Sequence, residues 1–362
     1  MLALVKYGKG AGETELREVP VPEIGENDLL MEVMAAGICG SDLAYDAGLH
    51  PNQLNTPVIL GHEFAGRIAK AGSKVKDWKV GDRIVSDNTG YVCGKCFACT
   101  TGQFLMCPDR LGMGYGMDGG FTEYVKISGD LLAKNPNAIF AIPDNVSYEE
   151  AAILDPICNP YKAIVQESHI LPGEDIVIFG VGPIGLFAIQ IAKLIGCGEI
   201  IAVGRSGNDK RFAMAKEFGA TRIIESDKVD VAAEVKKITK GEMAALVVDC
   251  AGANELVNLA IDLVRNGGEI VHVGYDARPY NYSLDRLLER GVSIKGHFGY
   301  DYQSWKNCIH LLELGKVDLK GMISHYITLA DWKKGFELMR NKEGVKVVFT
   351  KDPEKLKNSG VK

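Results

Sequence analysis

The most regular pattern in the chain is an alternation that begins near Tyr148. Short runs of Val and Ile recur, each followed by a stretch with helical spacing of its apolar residues. This predicts strands at 176–179, 199–203, 222–224, 245–248, 269–273 and 292–295, with helices at 183–195, 209–218, 229–238, 254–264 and 284–288 between them. Strands apolar on both faces and joined through helices form a parallel sheet with crossover connections. Six of them complete a doubly wound α/β unit.

The flanking regions read differently. The first 150 residues are β-rich and irregular, with apolar segments at 29–34 and 66–71 and a turn-then-strand at 80–85, separated by Gly, Pro, Asn and Asp. A helical stretch is expected from about 145 to 169, followed by a turn at 171–174. After 295 the alternation stops; helices at 302–314 and 329–340 and a strand at 345–350 are expected to pack back on the first domain. The expected division is 1–158, 159–296 and 297–362.

Composition narrows the function classes. With 41 Lys+Arg against 47 Asp+Glu the chain carries a formal charge of −6, which disfavours nucleic acid as the main partner. Its 46% apolar and 24% charged residues suit a globular chain with a sizeable core. The longest uncharged run, residues 176–192, is broken by Gly180, Gly182, Pro183 and Gly185 and is too short for a membrane span. The N-terminus lacks a secretory pattern, so a cytoplasmic protein is expected. Nine cysteines in such a compartment serve metal binding, catalysis or packing. Cys158, Cys197, Cys250 and Cys308 lie among apolar neighbours and read as core residues.

Gly180-Val-Gly182-Pro183-Ile184-Gly185 follows a predicted strand and opens a predicted helix. There the glycines give a tight turn, close approach of backbone to a pyrophosphate, and close helix–strand packing. The pyrophosphate would sit on the positive end of the helix. At the end of the second strand, where NAD-binding versions carry Asp or Glu, the chain reads Gly204-Arg205-Ser206. Arg205 can pair with a 2′-phosphate, Ser206 can donate to it, and Arg211 adds charge. NADP(H) is therefore expected over NAD(H).

Cys93-x2-Cys96-x2-Cys99-x7-Cys107 places four thiols within fifteen residues. A closed structural Zn2+ site fits this spacing; an iron–sulfur cluster uses similar spacings, but its final interval differs. A second, diffuse set comprises Cys39, Ser41 and Asp42, then His62 and Glu63, then Asp155. One Cys, one His and one or two carboxylates match a catalytic zinc that keeps a position open for substrate. Singly, Cys39 reads as core, His62 as a turn histidine and Asp155 as a helix-surface acid.

Gly61-His62-Glu63-Phe-Ala-Gly66 with Gly72 and Val75, Val80-Gly-Asp-Arg-Ile84, the four-cysteine lobe, Gly119-Gly-Phe-Thr-Glu-Tyr124 and the glycine-rich loop occur in one order. In this the chain resembles the zinc-containing medium-chain alcohol and polyol dehydrogenases, over essentially its whole length. The resemblance implies a GroES-like β-rich catalytic domain interrupted by a Rossmann domain, with the active site in the cleft between them. It implies Cys39 and His62 as zinc ligands, Glu63 as a carboxylate that binds the metal or exchanges with water, and Asp42 as the acid that fixes the histidine. Ser41 matches the hydroxyl that receives the substrate proton. Asp155 stands where simple alcohol dehydrogenases have Cys and polyol or threonine dehydrogenases have Glu, so direct or water-mediated binding stays open.

There are departures from the family pattern. A relay histidine of several relatives is Ala44 here, and His50 could serve the proton path only if its loop folds inward. Tyr45 matches an active-site tyrosine of sorbitol dehydrogenases. The sorbitol-binding Arg corresponds to Gly299, leaving His297 and Tyr300 as candidate substrate groups. The resemblance implies a dehydrogenase acting on a secondary alcohol of a sugar alcohol or related polyhydroxy compound, forming a homo-oligomer, tetramer or dimer. The competing expectations are an NADPH-dependent ketone or aldehyde reductase, a threonine-dehydrogenase-like enzyme, and a zinc-free NADPH-binding relative without activity.

Overall fold

The computed structural model describes residues 1–49, 54–276 and 278–357. The chain forms two compact units: Met1–Asp155 with Asp301–Lys362, and Pro156–Tyr300. The chain passes from one unit to the other at 155/156 and returns at 300/301.

The second unit is a six-stranded parallel sheet. From one edge its order is Arg222–Glu225, Ile200–Gly204, Ile176–Phe179, Ala244–Asp249, Val264–His272 and Ser293–Gly296. This is the doubly wound order, with the reversal of winding between the Ile176–Phe179 and Ala244–Asp249 strands. Val177, Phe179, Ile201, Val203 and Val247 are essentially inaccessible, as strands covered on both faces require. The Pro183–Ile195 helix begins with Pro183 in its first turn and ends at Gly196 with φ 80°. Both are favourable: the proline N–H is not needed there, and glycine accepts the left-handed cap.

The first unit is built on the Leu29–Gly37 strand, which pairs with Glu63–Ala71, Tyr124–Ile127 and Lys346–Thr350, all antiparallel. Val348 lies opposite Gly37 in this register, so the C-terminal segment completes the N-terminal sheet as expected. Ile323–Ile327, which lacks a strand pattern in sequence, joins Lys346–Thr350 in parallel. Phe64, Phe121, Phe336 and Phe349 fill the core beneath.

The single helical stretch expected over 145–169 is not continuous. It divides into Tyr148–Ala152, Asp155–Tyr161 and a wide turn of helix at Lys162–Gln166. Ser147 and Glu150 cap the first piece reciprocally. Pro160 inside the second piece lacks the N–H that would extend the ladder. Among the described residues, no helix is long and apolar enough to cross a membrane.

Candidate active site and metal centres

Cys39 precedes the short Gly40–Asp46 helix, which carries Ser41 and Asp42. Asp42 is fully buried, and its Oδ2 accepts the Cys39 N–H at 2.8 Å. Its Oδ1 lies 3.4 Å from His62 Nδ1. The other ring nitrogen, Nε2, is 3.4 Å from Ser41 Oγ. One carboxylate thus hydrogen-bonds the backbone of Cys39 and faces His62 Nδ1, the placement expected of an acid behind a metal-binding histidine.

Ligand atoms of Cys39, His62 and Glu63 all lie within 4.8 Å of one another. Burial opposes a charge on His62, but Asp42 and Cys39 outweigh it and hold the imidazole well above its ordinary pKa. A cation seated among these groups would supply positive charge in the proton's place, so the donor set fits zinc.

The two candidate carboxylates each have a partner. Glu63, 1% exposed, receives Lys346 Nζ at 2.6 and 2.5 Å on its two oxygens. Gly37 makes room for it, since a Cβ there would lie 2.5 Å from Glu63 Oε2. Asp155 Oδ2 accepts from Asn88 Nδ2 at 2.8 Å, and Asp155 does not join the Cys39–His62–Glu63 group. Neither Lys346 nor Asn88 was anticipated. A lone lysine inside the apolar run Val345–Thr350 was the available signal for the first; nothing in the sequence marked the second.

The four cysteines of the lobe come together, their sulfurs also within 4.8 Å of one another and Cys93–Cys99 at 3.9 Å. Tetrahedral Zn–S bonds of roughly 2.3 Å require sulfurs about 3.8 Å apart. Backbone N–H groups of Lys95 and Cys96 pull the Cys93 thiol down to about 6. Burial pushes Cys99 up to about 12 and raises Cys107 as well. A bound cation would hold all four as thiolates, and the closed sulfur set fits a structural zinc.

In the second unit Gly180 adopts φ 91°, and Gly182 caps the Pro183–Ile195 helix. A Cβ on Gly185 would lie 1.9 Å from the Gly180 carbonyl oxygen, whereas one on Gly182 would meet nothing within 4 Å. Protein packing therefore explains Gly185 but not Gly182; open space over a helix N-terminus fits a pyrophosphate. Ile184 follows in the first turn of the helix. Beside Gly204, Arg205 is exposed and Arg211 is half-buried. Ser206 departs from expectation: its N–H and hydroxyl are both given to Asp227, the N–H at 2.7 Å.

The candidate substrate groups are enclosed. Tyr45 is 2% exposed and stacks on Tyr115 with centroids 5.7 Å apart. Its phenol pKa is raised by burial and by nearby Tyr115, Asp42 and Cys39, which puts it beside the metal-ligand cluster. Tyr300 is buried. His297 is turned to Glu167, with Nδ1 2.6 Å from Oε2 and its side chain 1% exposed. Its Nδ1 thus serves a carboxylate, while its buried Nε2 has no hydrogen-bond partner among the described residues. His50 lies outside the described residues, and Gly299 has φ 63°.

Comparison with known proteins agrees with this geometry. Residues 25–137 match the alcohol dehydrogenase GroES-like domain, and residues 183–313 match the zinc-binding dehydrogenase domain. The uncharacterized zinc-type alcohol dehydrogenase-like protein YdjL of Escherichia coli K12 is 43% identical, over 97% of this chain and 99% of that one. D-arabitol-phosphate dehydrogenase of Enterococcus avium is 35% identical over 98% of both. A zinc-binding dehydrogenase from Sinorhizobium meliloti 1021, solved with NADP, superposes with a TM-score of 0.87 at 29% identity, covering 96% of this chain and 98% of that one. The chain belongs to the zinc-type medium-chain alcohol and polyol dehydrogenase family and is an NAD(P)-dependent oxidoreductase.

Proposed function

We propose that this enzyme transfers a hydride between a secondary alcohol of a sugar alcohol, or a related polyhydroxy compound, and NADP. The convergence of Cys39, His62 and Glu63 beside the Ser41 hydroxyl carries this reading. The relative named for D-arabitol phosphate supports a polyol skeleton. Bound at that cluster, zinc supplies Lewis acidity to an alcohol oxygen, and the nicotinamide supplies the hydride acceptor.

The chain's own groups do the rest. Asp42 holds His62 in the orientation that turns Nε2 toward Ser41. Ser41 relays the proton leaving the alcohol, taking it up as its own hydroxyl proton passes outward, and the relay runs backwards in the reverse direction. Lys346 supplies the counter-charge for Glu63 within a buried site.

The NADP preference rests on Arg205 and Arg211, with no acid at Gly204; a 2′-phosphate competes with Asp227 for Ser206. An S. meliloti relative solved with NADP supports it. Nine free thiols support a reducing compartment such as the cytoplasm. Exposed Leu284 and Leu288, at 70% and 79%, on the helix before the edge strand Ser293–Gly296 support self-association, a tetramer by family resemblance.

Kinetics on zinc-loaded protein with NADP and NAD test the reading, using a panel of polyols, polyol phosphates, threonine and 2-propanol. The expected result is the highest kcat/KM for a polyol with NADP. Arg205→Leu should lower kcat/KM for NADP by about 10- to 100-fold, the size of a charge-assisted hydrogen bond of roughly 1.5–3 kcal/mol. A preference for NAD in the unmodified enzyme overturns the cofactor assignment, and turnover confined to threonine or 2-propanol overturns the substrate assignment.

A further inference from the structure

We propose that Asn88, oriented by Arg110, is a positioning residue for Asp155, and that through this pair the four-cysteine lobe sets the geometry of the Cys39–His62 metal site. The inference rests on reading Asp155 as part of that site.

The Asn88 side chain makes one bond in each direction. Its Nδ2 donates to Asp155 Oδ2 at 2.8 Å, and its Oδ1 accepts from Arg110 Nη2. Chemistry fixes this orientation, because a flipped amide would set its carbonyl against the carboxylate and its NH2 against the guanidinium. The main chain of Asn88 is equally held. Its N–H goes to Ser86 Oγ at 3.1 Å, and its carbonyl receives the Met113 N–H at 2.8 Å. The residue is 5% exposed and sits at φ 55°, a left-handed conformation that Asn tolerates better than most residues. A carboxamide delivered this rigidly to one oxygen of Asp155 leaves the carboxylate little rotational freedom. The direction in which Asp155 presents its carboxylate is then set by Asn88.

Arg110 connects this device to the lobe. Its backbone N–H bonds to the Cys107 carbonyl at 3.0 Å, so the turn that ends the cysteine lobe places its guanidinium. The fork is divided: Nη2 goes to Asn88 and Nη1 to the Tyr115 hydroxyl. Tyr115 in turn stacks on Tyr45, six residues beyond Cys39. One guanidinium thus links the lobe to a carboxylate expected at the metal and to a ring packed beside the ligand helix. A purely structural lobe would not need a buried polar chain that ends on Asp155.

The test uses the full chain with cobalt(II) exchanged into the Cys39–His62 site while the lobe keeps its zinc. The readouts are the visible ligand-field spectrum and cobalt affinity by chelator competition. Asn88→Gly removes the carboxamide yet suits the left-handed backbone, and Arg110→Lys keeps the charge but replaces the two-nitrogen fork that spans Asn88 and Tyr115 with a single nitrogen. Both variants should shift the spectrum. Asn88→Gly should weaken cobalt binding about 10- to 100-fold, and Arg110→Lys should weaken it by less. Wild-type spectrum and affinity in both variants overturn the inference alone. A wild-type chain that takes up no cobalt at Cys39 overturns the metal-site reading, and the inference with it.

Discussion

Lys346 and Glu63 form an ion pair sealed from solvent, with Nζ 2.5 and 2.6 Å from the two carboxylate oxygens and side chains 2% and 1% exposed. Burial alone would strip the lysine of its charge; Glu63 outweighs that and holds Lys346 above its ordinary pKa. The carboxylate also lies among the ligand atoms of Cys39 and His62. Glu63 therefore has one positive partner in Lys346 and would gain a second in a cation held by Cys39 and His62.

This arrangement makes stability depend on metal in a specific way. Lys346→Met leaves a buried carboxylate without its counter-charge, a change that costs about 3–5 kcal/mol where a buried pair is broken. A cation at Cys39 and His62 restores positive charge beside Glu63, so the loss should be smaller in zinc-loaded protein. Urea unfolding of wild type and variant, with and without zinc, measures this. An equal loss in both states would show that Glu63 does not sense the metal.

The two metal centres should separate by mutation. Cys39→Ala or His62→Ala should reduce the metal content from about two ions per chain to about one and abolish turnover. Binding of NADPH, proposed for the glycine-rich loop of the second unit, should be largely retained. Cys96→Ser should also cost one ion, but its main effect should be a lower melting temperature. Metal analysis beside nucleotide titration distinguishes the cases, and a common loss of metal and nucleotide binding from Cys39→Ala would assign that residue to folding.

How far these features were legible depended on whether the signal was local. The central Rossmann strands were readable because they are nearly continuous apolar runs, and Ile176–Phe179, Pro183–Ile195 and Asp209–Phe218 fall where their periodicity puts them. The four cysteines were readable because their spacing is itself the chemistry. Ile323–Ile327 was not, since His325 and Ser324 interrupt the apolar pattern and its pairing with Lys346–Thr350 is decided by tertiary contact. The break in the 145–169 stretch was signalled by Pro156 and Pro160, which the apolar periodicity masked. Partners distant in sequence, such as Asn88 with Asp155 and Ser206 with Asp227, carry no local signature at all.

Asp87 gives a pH dependence with a definite sign. Burial pushes its carboxyl up to about 6 from 3.8, opposed in part by the Thr89 N–H and by Arg110. The folded state then holds this proton more tightly than the unfolded chain. Its contribution to stability is fully present below about pH 4 and is lost as pH rises through about 6. Asp87→Asn keeps an oxygen for the Thr89 N–H and removes the titration. Relative to wild type the variant should gain up to about 3 kcal/mol between pH 4 and pH 7, two pKa units at about 1.4 kcal/mol each. Denaturant midpoints of both proteins across that range test this, and a constant difference would mean that Asp87 does not change its protonation there.

The glycine-rich loop allows ligand and packing roles to be told apart within six residues. Gly185→Ala drives a methyl group into the Gly180 carbonyl, 1.9 Å away, so the helix must move off the strand. Backbone offers no flexible escape, and the variant should be strongly destabilised or fail to fold. Gly182→Ala meets no protein atom within 4 Å and keeps an ordinary extended backbone at φ −76°. Its melting temperature should therefore match wild type within about a degree or two, since an unstrained substitution in open space stays within roughly 0.5 kcal/mol. The added methyl group would instead occupy the approach of a pyrophosphate to the helix N-terminus, and NADPH affinity should fall at least about tenfold. Fluorescence titration with NADPH on the folded variant reads this directly. Unchanged affinity would mean that the dinucleotide does not bind across Gly182.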